Sequence, residues 1–209
     1  MAYSNGTLLA LLVTISFAAG LNVYATVGTL GILEWVHVDS LPPTLHPVGN
    51  WYVIAACAVL FLVELFADKI PVFDLLWNAL HTFVRIPVAA VIAYQASANL
   101  SPKMQLLSGL LGALVALASH GGKTAIRAAV TPSPEPFSNI ALSFSEDTLA
   151  VFLLWLAAQH PYWAAGIVVA FLAVIVILIR WVIRAFRSMF SQSERDIARV
   201  IKPTHTSTR

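Results

Sequence analysis

Three short stretches of otherwise apolar sequence carry ionisable residues one helical turn apart. Glu64 and Asp68 stand in VELFADKIPVFD, His81 and Arg85 in NALHTFVRIP, and Lys123 and Arg127 in SHGGKTAIR. A fourth, SFSEDTLAVF, holds the adjacent carboxylates Glu146 and Asp147. Residues three or four apart share one helix face, so Asn78 lies beside His81 and His120 beside Lys123. Carboxylates can bind cations or carry protons, guanidinium and ammonium groups can hold anions, and histidine can do acid–base work near neutrality. Within a membrane each such charge costs about 2.5–3.5 kcal/mol on insertion scales and faces a partner or a hydrated cavity.

Three readings of these residues follow. In the first, Glu64, Asp68, Asn78, His81, Arg85, His120, Lys123, Arg127, Glu146 and Asp147 line a polar path for an ion or small solute. Pro87 and Gly121-Gly122 then loosen the helices where the charges lie, as in carriers with broken helices. In the second, the same residues are salt bridges that lock a bundle. A third, lipid-handling reading uses the basic residues to hold a phosphate head group. No cofactor and no metal site is expected: His37, His46 and His160 are scattered without ligand spacing. GGKT at 121–124 is not a phosphate loop, since that motif needs glycine where Leu117 stands. No HExxH, GxSxG or CxxC pattern occurs, so no reaction is indicated and the chain is read as a non-enzyme.

The elements that must position these residues are membrane helices. Hydrophobic residues are 59% of the 209 and charged ones 11%, with mean hydropathy +0.81. Soluble domains carry roughly 25% charged residues, so a water-facing surface is excluded. Spans of about 20 apolar residues fall near 8–35, 51–67, 75–97, 104–126, 140–159 and 163–186. The expected fold is an all-α bundle of about six transmembrane helices over 1–187, with a three-plus-three inverted repeat that aligns 20–26 with 121–127. The glycines and the polar Asn22, Tyr24 and Thr26 of AAGLNVYATVGTLG interrupt the first span.

Seven of the twelve basic residues lie from Arg180 onward. Basic residues concentrate on the cytoplasmic side, which puts both termini there. Counted by loop, about ten fall inside and one, Lys103, outside. Trp35, Trp51, Trp77, Trp155, Trp163 and Trp181 fall near span ends, as in an interfacial belt. TPSPEPF (131–137) reads as an extended inner loop. In the tail, 188–209, SQSE fits a capping box opening a short amphipathic helix. Expected partners are membrane lipids, an unidentified ion or small solute and, for a homo-oligomer, further copies of the chain; nucleic acid is not among them. The single Cys57 reads as a packing residue.

The stretches GLNVYATVGTLG, ELFADKIPVFDLLWNALHTFVRIP, HGGKTAIRAAVTPSPEPFSN and SEDTLAVFLLW together resemble the bacterial domain-of-unknown-function family numbered four-one-two-six. The likeness covers roughly residues 8–185. It implies a small protein of the bacterial inner membrane and supplies neither a substrate nor a catalytic residue.

Overall fold

The computed structural model describes residues 4–36, 41–67, 71–130 and 136–201, and among them there is helix and no strand. The helices are α1 (Asn5–Leu21), α2 (Val23–Trp35), α3 (Trp51–Ala67), α4 (Pro71–Ala96), α5 (Pro102–Val130), α6 (Pro136–Gln159) and α7 (Pro161–Ile201); a 3-10 helix, Pro43–Gly49, precedes α3. Proline stands first in α4, α5, α6, α7 and the 3-10 helix. Its fixed φ suits the first helical position, where a missing N–H costs nothing. The chain forms two compact units, Met1–Phe171 and Leu172–Arg209.

Within the first unit α1 is the central helix. Twelve of its seventeen residues are buried, as a helix apolar all round requires. It packs against α4, α5 and α6, and Phe17 stacks on Phe171 with ring centroids 5.9 Å apart. Ala19, Ala89 and Ala116, from α1, α4 and α5, are fully buried together. Small residues let helix backbones approach closely, which is the main source of packing where lipid removes the hydrophobic drive. That seam runs within one or two turns of Asn22, Arg85 and Lys123.

Glycines sharpen the seam. A Cβ on Gly20 would stand 2.5 Å from the Ala116 carbonyl oxygen, and one on Gly112 would stand 2.6 Å from Ala93 Cβ. A Cβ on Gly121 would meet nothing within 4 Å. Gly20→Ala is therefore expected to lower stability by about 1–3 kcal/mol through overpacking. Gly121→Ala should be neutral or stabilising by up to about 1 kcal/mol, because alanine favours helix. Thermal melts in detergent separate the two, and equal melting temperatures would refute this account of the α1–α5 seam.

Among the described residues, four helices are long and apolar enough to cross a membrane by themselves, within α4, α5, α6 and α7. A fifth span arises if α3 is joined to its 3-10 helix, from which it is bent by 64°. The expected first span, 8–35, is not one helix. It divides at Asn22 into α1 and α2 of 17 and 13 residues, so a sixth crossing exists only if the two halves act together. The window Pro161–Trp181 is the most apolar, with hydropathy 2.8 and only 11% of it buried, a surface suited to lipid.

Three expectations about local structure are corrected. α4 passes through Pro87 and α5 through Gly121-Gly122 without a break, whereas the expected interruption of the first span is present, at Asn22. The proposed partner of 20–26 in the inverted repeat, 121–127, is thus unbroken helix where its counterpart is broken. α7 continues to Ile201, so SQSE (191–194) sits inside a helix rather than at its start. Of TPSPEPF, 131–135 lie outside the described residues and Pro136-Phe137 already belong to α6.

Candidate functional site

The break between α1 and α2 organises the site. Asn22 leaves helical geometry (φ −150°, ψ 110°) and its Oδ1 accepts from Ala25 N at 2.9 Å, capping α2. Such a cap satisfies one of the donors a helix start leaves open. Its Nδ2 donates to Asp147 Oδ1 on α6 at 2.8 Å. On the other side of the break, the Leu21 carbonyl accepts from Lys123 Nζ at 2.9 Å. A cation thus meets the negative end of α1, and a carboxylate stands by the positive start of α2.

The charges then form a chain across four helices. Arg85, fully buried on α4, donates through Nη2 to Glu64 Oε1 on α3. Lys123 Nζ lies 3.8 Å from that same oxygen and 3.2 Å from Glu146 Oε2. Arg127 donates to Glu146 Oε2 through Nη2 at 2.8 Å and Nε at 3.3 Å. Glu64, Arg85, Lys123, Arg127, Glu146 and Asp147 are all buried, with three positive against three negative side chains. Neutral pairing is what allows such groups below the surface, because an unpartnered buried charge is very costly.

His120 extends the network and His81 stands one turn from Arg85 on α4, and their partners fix their tautomers. A guanidinium only donates, so His120 Nδ1, 3.1 Å from Arg85 Nη1, accepts. His120 Nε2–H then donates to Thr82 Oγ1 at 2.8 Å. His81 Nδ1 donates to the Trp77 carbonyl at 2.8 Å, one turn back, leaving Nε2 to accept from the Tyr24 hydroxyl at 2.9 Å. The Trp77 ring lies against the His81 ring at 4.4 Å between centroids.

Of the ten residues expected at the site, eight are thus joined or adjoin the network: Glu64, His81, Arg85, His120, Lys123, Arg127, Glu146 and Asp147. Asp68 lies outside the described residues, as does the side chain of Asn78. Lys123 and Arg127 are buried partners of carboxylates, so they leave the count of loop charges, while Lys69 and the tail still outnumber Lys103. Trp77 turns into the site, whereas Trp35, Trp51, Trp155, Trp163 and Trp181 are exposed. Sequence reasoning flagged Asn22 and Tyr24 only as an interruption. It missed Thr82 and the Leu21 carbonyl, the latter invisible because every residue has one.

Beside the network, an open groove of about 500 Å³ runs between α3 and α6. Phe61, Leu65, Phe144, Val151 and Trp155 line it, and among the described residues Asp147 is its one charged wall residue.

Apolar helices long enough to cross a bilayer, gathered round a buried and charge-balanced network, define a multi-pass helical membrane protein. The chain belongs to the family described as Domain of unknown function (DUF4126), which matches residues 9–181. No curated protein and no solved structure matches it.

Proposed function

We propose that the protein is a small membrane carrier for an ion or small polar solute, with the charged network at the α1–α2 break as its transport site. The observation that carries this reading is the break itself. Irregular backbone at membrane depth is tolerated where protein or a water-filled cavity satisfies it, and a helix lock needs no such interruption. Here both helix ends at the break are met by side chains whose charges could be exchanged for those of a solute. Glu64 adds a buried Oε2 without a hydrogen-bond partner among the described residues, an acceptor that a finished lock would not leave open.

The test is accessibility. In a Cys57→Ser background, Thr82→Cys, beside His120 and Arg85, is expected to react with a membrane-impermeant thiol reagent added from the aqueous phase. A thiol that stays unreactive from both sides, in a protein shown to be folded, would favour a sealed lock. The proposed orientation puts both termini in the cytoplasm of a bacterial inner membrane. A reporter after Arg187 should then read as cytoplasmic and one within 40–48 as external; the same side for both would contradict it.

The α3–α6 groove favours one second reading, a lipid-handling protein in which an acyl chain lies along the apolar wall while the head group meets the charges.

A further inference from the structure

Lys123 is held in the way a small bound cation is held. Its side chain is fully buried, and its ammonium has oxygen neighbours from three separate elements. These are the Leu21 carbonyl at 2.9 Å, Glu146 Oε2 at 3.2 Å and Glu64 Oε1 at 3.8 Å. The Leu21 carbonyl is one of those that the end of α1 leaves without an intrahelical partner, and it lies at the negative end of that helix. Carboxylate and carbonyl oxygens are the ligands of hard cations, and half-helix C-terminal ends with unwound carbonyls coordinate sodium in broken-helix carriers.

The charge count points the same way. With Lys123 in place, Arg85, Lys123 and Arg127 balance Glu64, Glu146 and Asp147. Without it the network carries one uncompensated negative charge. Arg85 and Arg127 already lie on Glu64 and Glu146, and Glu64 Oε2 is a further oxygen with no hydrogen-bond partner among the described residues.

We propose that the Lys123 ammonium occupies a monovalent-cation site built by Leu21, Glu64 and Glu146, so that the chain carries its own cation where sodium or potassium would otherwise bind. The wild-type site is therefore closed to alkali cations, and truncating the lysine opens it. This inference rests on the local geometry alone and stands whether or not the protein carries a solute.

The experiment uses the full chain in detergent, melted in sodium, potassium, methylammonium or choline chloride at equal ionic strength. Lys123→Ala is expected to melt several degrees higher in at least one of the three small cations than in choline. The gain should saturate with concentration, as binding to the folded state alone requires, and the wild type should show no such difference. Lys123→Ala with Glu146→Gln, in which charge balances again and one ligand is weakened, should lose the response. Equal melting of Lys123→Ala in choline and in every small cation would overturn the proposal. So would an undiminished response in the double variant, or failure of Lys123→Ala to survive purification in any of these salts.

Discussion

Arg85→Met is expected to destabilise the protein by about 3–5 kcal/mol, the usual consequence of leaving one partner of a buried ion pair uncompensated. Among the described residues Arg85 is the largest fully buried side chain, and its loss removes the guanidinium that meets both Glu64 and His120. For a chain of this size each kcal/mol moves the melting temperature by about 2–4 °C, so a fall of roughly 6–20 °C follows. Adding Glu64→Gln should return more than half of the loss, since the two sites interact and their effects do not add. Thermal melts of the single and double variants in one detergent decide it. A single variant that melts with the wild type, or a double variant that melts at the sum of the two losses, would show that this pair does not act as described.

That result bears on function as well as on stability. A network whose members cannot be removed singly is one whose charges are exchanged rather than left bare, and a carrier must supply the replacement charge from its solute or from water. The Arg85–Glu64 pair, from α4 and α3, is on this view the anchor of the site. Asp147, at the edge of the α3–α6 groove, is the member that ties the network to the helix break, through the amide of Asn22.

Much of this arrangement was legible in the sequence, for energetic reasons. Charged pairs spaced by one turn inside apolar runs must converge, because four separate polar faces in lipid would be prohibitive. Glu64, Arg85, Lys123 and Glu146 accordingly meet. α3 runs over Trp51–Ala67, the same bounds as its expected span, because Asn50 precedes it and the apolar run ends at Asp68. What the sequence could not disclose was which irregularity would break a helix. Pro87 and Gly121-Gly122 look like breakers, yet packing against neighbouring helices carries α4 and α5 through them. Asn22 succeeds because its side chain can cap α2 and reach Asp147 in one step. Nor could residue types reveal Leu21, whose part is played by its backbone, or Thr82, which is one of many threonines until His120 lies beside it. The number of crossings was obscured by the same break, since α1 and α2 read as one long apolar segment.

The most direct test of a carrier is charge movement by the purified protein in liposomes adsorbed on a solid-supported membrane. Rapid jumps in protons, sodium, potassium, ammonium, chloride and a panel of amino acids would be applied to wild type and to Asp147→Asn. The asparagine keeps an oxygen to accept from Asn22, and the variant enters the comparison once a thermal melt shows it folded. A transient current in the wild type for at least one of these solutes, abolished in Asp147→Asn, is the predicted result. Silence of the folded wild type towards every solute, or currents unchanged by Asp147→Asn, would contradict a transport site at the α1–α2 break.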